Sequence, residues 1–221
     1  MRPWRTLDRV ETDAGVLDLR LRGDREFLVC IDGRVLMSSF ASRSEAFLAK
    51  ASCELLAGRK GPRVLLAGLG VGVTLRVALD NLPADARVDV VELNPEVVRW
   101  CHGPLAAACG DALADPRVHV TVGDVVHAIA AAAAGSYDAI VLDLYEGPHE
   151  ATQGPDDPCW GPTALHRARA ALRPGGVLAI WGEVVDGRFE RHLRKGGYRF
   201  ERHQPGKGGS PHCVWICTAP A

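Results

Sequence analysis

The sequence predicts an α/β protein with a doubly wound, mostly parallel, Rossmann-like sheet of seven strands, preceded by a small N-terminal β-domain. Two patterns support this fold class. From residue 63 onward, short apolar segments alternate with helical segments, as in a parallel sheet that is buried on both faces. Before that point, apolar and charged residues alternate one by one, as in a sheet with one face in water. We place the domain boundary between residues 41 and 42, so that 1–41 form the β-domain and 42–221 the larger domain.

The β-domain is predicted from three segments, residues 16–22, 27–31 and 35–37. In the first segment leucines alternate with charged residues, which indicates a strand with one buried face. Asp32-Gly33 lies between the other two segments. A tight hairpin turn requires positive φ at its two central positions, and Asp-Gly is among the dipeptides that accept this. We therefore expect a hairpin centred on these two residues.

A helix is predicted over residues 42–57. Ser42 and Glu45 have the S-x-x-E spacing of a capping box, in which side chains satisfy free N–H groups of the first turn. Apolar residues recur at helical spacing within the segment, and Gly58 is suited to end it. The capping box is by itself a sufficient explanation for Glu45.

The larger domain is predicted as strands and helices in alternation, followed by a different ending. The strands are expected at residues 64–67, 87–92, 118–122, 138–142 and 177–181. The helices are expected at residues 73–82, 95–105, 125–134 and 163–172. The ending is predicted as a helix at 189–194 and two strands at 198–203 and 213–218, joined by an exposed loop at 204–211.

The composition is that of an ordinary globular protein, with 47% hydrophobic and 24% charged residues. A net charge of −1 over 221 residues gives no bulk attraction to nucleic acid or to an anionic membrane. The basic residues between 188 and 207 alternate with acids and lack a stacking motif, so a solvated surface is expected there. Neither a signal peptide nor a membrane-spanning segment is predicted. A cytoplasmic protein with no nucleic-acid or membrane partner is therefore expected.

The seven cysteines are scattered, and none forms a C-x-x-C pair. Most have apolar neighbours, which indicates buried, reduced thiols. Histidine and carboxylate residues do not cluster at metal-ligand spacing. The sequence therefore predicts no metal site.

Four consecutive strands of the larger domain end in residues suited to bind a nucleotide. The glycines of a G-x-G-x-G turn allow close approach to bare backbone, and a carboxylate after the next strand can accept both hydroxyls of a ribose. A carboxylate after the third strand can bind an adenine amino group or can cap the following helix, and both alternatives stay open. These residues are, in order, Gly68, Gly70 and Gly72, then Glu92, Asp124 and Asp143.

The sequence resembles the spermidine synthase-like branch of the class I S-adenosylmethionine (SAM)-dependent methyltransferase superfamily. The matching segments are residues 64–72, 90–94, 115–118, 123–124, 137–143 and 172–176. The resemblance implies that residues 68–72 wrap the sulfonium arm of the cofactor, that Glu92 holds the ribose and that Asp124 holds the adenine. It also implies that Asp143 lines the reaction centre. The cofactor implied is SAM, or decarboxylated SAM as the alternative.

Two departures from the aminopropyltransferases of this branch decide which alternative the sequence favours. Those enzymes usually carry an Asp inside the glycine turn that pairs with the amine of decarboxylated SAM, whereas this chain has Val71. Their acidic diamine-binding stretch is replaced by a segment that contains the cationic Arg43, although Glu45 matches a family Glu. Removing a fixed negative charge near the donor arm favours intact SAM, which carries a carboxylate.

The expected function is therefore methyl transfer from SAM to a small acceptor that bears an amine or a cation. Aminopropyl transfer from decarboxylated SAM is the alternative, and a nucleotide-binding protein without catalysis is a second one. Asp143 is the expected base for an amine, with Tyr145 and Glu146 as further catalytic candidates. The oligomeric state is open, and a homodimer is one candidate.

The connection between residues 145 and 160 is long for a strand–helix loop, and long loops at this edge of a sheet are usually functional. Its acids predict a cationic substrate, and its aromatic end can supply a wall of the pocket. The candidate substrate residues in and around this region are Glu45, His149, Trp160 and Glu183.

Overall fold

The computed structural model describes residues 2–206 and 212–219, which form two sheets with helices packed around the second. The N-terminal sheet contains β1 (Arg5–Thr12), β2 (Gly15–Arg22), β3 (Glu26–Ile31) and β4 (Arg34–Ser38). The second sheet contains β5 (Arg63–Ala67), β6 (Arg87–Glu92), β7 (Val118–Val122), β8 (Tyr137–Leu142), β9 (Leu172–Gly182), β10 (Arg199–His203) and β11 (Cys213–Thr218). The helices are α1 (Arg43–Glu54), α2 (Val73–Asn81), α3 (Pro95–His102), α4 (Val125–Ala131), α5 (Pro162–Ala171) and α6 (Gly187–Lys195).

The second sheet confirms the predicted fold class. Its strand order is β10-β11-β9-β8-β5-β6-β7. The five strands β5 to β9 pair in parallel, and β11 is antiparallel to both of its neighbours. Every residue of β8 is buried, because helices cover both faces of the sheet. From β5 the chain adds β6 and β7 on one side of the sheet and then β8 and β9 on the other, so the topological switch point lies between β5 and β8. Ligands of such sheets bind at the switch point, outside the carboxyl ends of the strands.

The N-terminal sheet is an antiparallel meander in the order β1-β2-β3-β4. The predicted hairpin is present, with Asp32 and Gly33 both at positive φ between β3 and β4. Leu17, Leu19 and Val29 are buried in the same apolar cluster as residues of β5 and α2. The division at residues 41 and 42 stays a prediction.

The capping box predicted at the start of α1 is wrong. The Ser42 side chain makes no capping hydrogen bond, and the Glu45 carboxylate accepts from the neighbouring Ser44 hydroxyl instead of reaching back. Glu45 therefore does not have the helix-capping role that the S-x-x-E pattern suggested. The helix also ends at Glu54, three residues before the predicted end.

Other boundaries differ by a few residues. The α3 helix ends at His102 and α4 ends at Ala131, both three residues early, whereas β9 begins at Leu172, five residues early. Within the loop predicted at 204–211, residues 207–211 lie outside the described residues. Over the described ranges, no helix has both the length and the apolar character needed to cross a membrane. All seven cysteines are free thiols, and six of them are buried.

Candidate active site

A pocket opens at the carboxyl edge of the sheet, where β5 and β8 lie side by side. The glycine turn after β5 forms one wall, and the loop after β8 forms another. The end of β4 and the start of α1 close the remaining sides. Its lining residues are Leu36, Met37, Ser38, Ser42, Glu45, Leu69, Gly70, Val71, Val73, Thr74, Asp143, Leu144, Tyr145 and Trp181.

The glycine turn adopts a backbone that side chains would obstruct. Gly68 has a φ of +84°, and a Cβ placed there would overlap the carbonyl oxygen of Asp143. Gly70 has a φ of +55°, and a Cβ there would lie 2.8 Å from the Met37 sulfur. These glycines therefore bring the turn against both the β8 loop and the N-terminal sheet. Gly72 follows as the residue that precedes α2.

Glu92, at the end of β6, holds the glycine turn from behind. One carboxylate oxygen accepts the Leu69 N–H at 2.8 Å, and the other accepts the Asn94 N–H at 2.9 Å. The side chain is buried and lies outside the pocket lining. The Asn94 side-chain amide also donates to the oxygen that accepts the Asn94 N–H, at 3.5 Å. The oxygen that accepts the Leu69 N–H keeps a lone pair for a further donor, such as a ribose hydroxyl, so the predicted role of Glu92 is still chemically available.

Asp124 caps the following helix, which is one of the two roles that the sequence left open for it. Its carboxylate accepts the Val126 N–H at 2.8 Å and so caps α4. The residue lies outside the lining of the pocket. Its contact with adenine stays a prediction.

Asp143 follows β8 and lines the pocket directly below the glycine turn. Its backbone N–H donates to the Ala67 carbonyl at 2.9 Å, which ties the two strand ends together. The Thr74 hydroxyl of α2 donates to its carboxylate. Burial and the negative charge of Glu45 raise the pKa of Asp143 from 3.8 to about 7, although the Thr74 hydrogen bond acts in the opposite direction. The group can therefore both accept and release a proton near neutral pH.

The pocket is acidic. Glu45 and Asp143 both line it, and none of the described lining residues is an Arg or a Lys. Val71 lines the same pocket as these two acids, so the apolar residue in the glycine turn does not make the surroundings of the donor arm neutral. The arrangement attracts cationic ligands and disfavours anionic ones.

Tyr145, Glu146 and Glu183 meet at the rim of the pocket around Arg34, a residue of β4 that the sequence analysis missed. The guanidinium lies 3.3 Å from Glu146 and 3.5 Å from Glu183, and it stacks over the Tyr145 ring at 4.8 Å. Glu146 adopts a positive φ of 66° at this point. Both predicted acids are thus drawn to one cation from the N-terminal sheet.

His149 and Trp160 lie away from this pocket. Trp160 is buried against Phe189, with ring centroids 6.2 Å apart, and belongs to the apolar core on the other side of the sheet. Both residues line a separate cavity of about 200 Å³ beside α6. Trp181, at the end of β9, supplies the aromatic wall instead. Among the described residues, no group of three or more His, Cys, Asp or Glu side chains is arranged to hold a metal ion.

Replacing Glu45 by Gln is expected to lower the pKa of Asp143, because the Glu45 charge is the second cause of its elevation after burial. A ¹³C NMR titration of the Asp143 carboxyl carbon would measure the change. Glu54→Gln, at the exposed end of the same helix, is the matched control and should leave the midpoint unchanged. An unaltered midpoint in Glu45→Gln would show that the two carboxylates do not interact.

No protein-family model matches the chain. Among curated proteins, polyamine aminopropyltransferase 2 of Streptomyces coelicolor is 32% identical in an alignment of 193 residues that covers 81% of this chain and 32% of the relative. Putrescine N-methyltransferase 3 of Nicotiana tabacum is 34% identical over 125 residues, which are 56% of this chain and 30% of the relative. The chain thus matches about a third of the length of these relatives.

Among solved structures, the spermidine synthase from Thermotoga maritima superposes with a TM-score of 0.74 at 17% identity, over 97% of this chain and 73% of the other. The order and direction of the seven strands define a Rossmann-like α/β fold. More narrowly, the fold is that of the spermidine synthases, and the resemblance to the spermidine synthase-like branch of this superfamily is confirmed. The sequence relatives are transferases of two kinds.

Proposed function

We propose that this protein transfers an aminopropyl group from decarboxylated SAM to an amine acceptor. The observation that carries the proposal is the pair of carboxylates, Glu45 and Asp143, in a pocket that contains the glycine turn and has no cationic lining residue among those described. A relative that aligns with 81% of this chain is an aminopropyltransferase, which favours this activity over the methyl transfer expected from the sequence.

Charge distinguishes the two donors. Decarboxylated SAM carries a sulfonium and an ammonium group and has no carboxylate, so both of its charges are attracted by Glu45 and Asp143. Intact SAM carries an additional carboxylate, which would enter the same pocket without a cationic partner on the lining residues. The acidic pocket therefore supports the decarboxylated donor, and it equally supports a cationic amine as the acceptor.

The residues of the pocket have distinct tasks in such a reaction. The donor supplies a carbon bonded to a positively charged sulfur; the amine nitrogen bonds to this carbon as the carbon–sulfur bond breaks and its electron pair goes to sulfur. Asp143, with its pKa near 7, accepts the proton that the amine must lose. Glu45 attracts the cationic end of a ligand, and Trp181 supplies a face for it. The glycine turn and Glu92 orient the nucleoside part.

Methyl transfer is the second candidate, because two observations favour it. The glycine turn has Val71 where the resemblance implies an Asp in aminopropyltransferases, and putrescine N-methyltransferases align with 56% of the chain. A sulfonium has three bonds from carbon to sulfur, so the position of the acceptor nitrogen selects the group that is transferred.

Calorimetry with both nucleotides tests the proposal. Decarboxylated SAM is expected to bind at least about tenfold more tightly than SAM, which corresponds to about 1.4 kcal/mol. Incubation of each donor with putrescine, followed by mass spectrometry, would identify an aminopropylated or a methylated product. Tighter binding of intact SAM together with a methylated product would contradict the proposal in favour of the second candidate. Binding of a nucleotide without any transfer would favour a protein without catalysis.

A further inference from the structure

A buried hydrogen-bond network stands behind the pocket and is centred on Ser44, which does not line the pocket itself. The Ser44 hydroxyl lies 2.6 Å from a carboxylate oxygen of Glu45 and 3.1 Å from the indole nitrogen of Trp181. It also lies 3.0 Å from Nδ1 of His212, which precedes β11. The Trp181 and His212 rings contact each other edge to face, with centroids 4.8 Å apart. Three separate segments of the chain therefore converge on one hydroxyl.

The chemistry of the partners determines the direction of each bond. The indole N–H can only donate, so it occupies one lone pair of the Ser44 oxygen. The ionised Glu45 carboxylate can only accept, so the Ser44 proton points to it. The second lone pair of Ser44 then accepts from His212, which places a proton on Nδ1 of that ring. All three hydrogen-bonding positions of the hydroxyl are thereby used, and its proton has no other direction available.

We propose that Ser44 is a positioning residue that holds the Glu45 carboxylate in the pocket beside Asp143, with Trp181 and His212 fixing the orientation of the Ser44 hydroxyl. The effect of this positioning on ligand binding rests on the proposed function, in which the pair Glu45 and Asp143 selects a cationic donor and acceptor. The hydrogen bonds thus lead from Trp181 and His212, at the sheet, through the Ser44 hydroxyl to the Glu45 carboxylate in the pocket.

Loss of the Ser44 hydroxyl would free the Glu45 carboxylate to turn toward solvent. Its negative charge would then lie farther from Asp143 and would be screened more strongly by water. The other titratable groups that face this pair are His212, through Ser44, and the Tyr145 phenol on the opposite wall. Because His212 donates through Nδ1, protonation of its other nitrogen leaves the bond to Ser44 intact.

The test compares variants by ¹³C NMR titration of the Asp143 carboxyl carbon in the ligand-free protein, with the signal assigned by its disappearance in Asp143→Asn. In Ser44→Ala we expect the midpoint to fall by about half a unit or more, toward the value in Glu45→Gln. Ser44→Thr keeps the hydroxyl and should restore the wild-type midpoint. Ser52→Ala is the matched control, because Ser52 is a buried serine of the same helix whose hydroxyl donates to the Leu48 carbonyl at 2.6 Å.

A second readout is the amine acceptor KM, which should rise several-fold in Ser44→Ala with kcat nearly unchanged, and should stay at the wild-type value in Ser52→Ala. If Ser44→Ala does not fold, Ser44→Cys keeps the volume with a weaker donor and should shift the midpoint in the same direction. A wild-type midpoint in Ser44→Ala, or an equal shift in Ser52→Ala, would overturn the positioning role. A chain that transfers no group to any amine would overturn the proposed function, and the titration would still decide the role of Ser44.

Discussion

Asp143→Asn is expected to lower kcat by a factor of about 10²–10⁴, the usual contribution of a positioned general base. The amide cannot take the proton from an amine acceptor, yet it preserves the size of the side chain next to Thr74. The wild-type kcat/KM should rise with pH through about 7, as the Asp143 carboxyl loses its proton. A pH–rate profile of both proteins measures this. A variant that keeps the wild-type rate and the same pH dependence would exclude Asp143 as the base.

The same substitution is expected to stabilise the ligand-free fold. The pKa of Asp143 is raised from 3.8 to about 7, so the folded state binds a proton more tightly than the unfolded state, and stability falls as pH rises through this interval. At pH 8 the charged side chain costs up to about 4 kcal/mol, which Asn would recover. The gain should vanish below about pH 4, where both states are protonated. Urea unfolding at both pH values would measure it.

Asp124→Asn is the matched control for stability. Asp124 also follows a parallel strand, but its carboxylate caps α4, and Asn caps a helix about as well as Asp. Its free energy of unfolding should change little at either pH. A gain at pH 8 equal to that of Asp143→Asn would show that the effect does not come from the pocket.

Gly68→Ala is expected to lower the free energy of unfolding by about 2–4 kcal/mol and to abolish binding of the nucleotide. The new Cβ would overlap the Asp143 carbonyl oxygen, so the turn and the β8 loop would have to separate. Left-handed backbone adds about 1 kcal/mol of strain for a residue with a side chain. Denaturant unfolding and calorimetry with the nucleotide would measure the two effects.

Gly58→Ala separates the strain from the overlap. Gly58 has a φ of +82°, nearly that of Gly68, but a Cβ there meets no atom within 4 Å. This variant should lose only the strain of about 1 kcal/mol and bind the nucleotide normally. Equal losses in the two variants would contradict the role assigned to the contact between the turn and the Asp143 backbone.

The strand ends of the larger domain were predictable because each depends on a local pattern. A short apolar strand followed by glycines, or by a carboxylate, indicates both the element and the edge at which its last residue lies. Asp143 and Gly70 were placed in one pocket on this basis, and the structure brings them together. Glu45 was harder, because the spacing of a capping box suggested a local partner that it does not use.

The loop at residues 145–160 was less predictable than the strand ends. Its first half reaches the rim, where Tyr145 and Glu146 meet Arg34, but its second half turns into the core with Trp160. Thr74 and Arg34 were missed, since neither belongs to a motif and each acts on a partner about 70 or more residues away. Aromatic character alone does not distinguish a pocket wall from a core residue.

The amino-acid sequence by itself determined the α/β order of elements, the glycine turn and the acids that follow the strands, because these depend on periodicity and on residues close together in the chain. Only the tertiary structure decided which side chains surround the pocket and how each is held. Ser44 and His212 are 168 residues apart, and their contact exists only because α1 packs against β9 and β11. Burial and neighbouring charge, which set the pKa of Asp143, likewise arise from packing between distant segments.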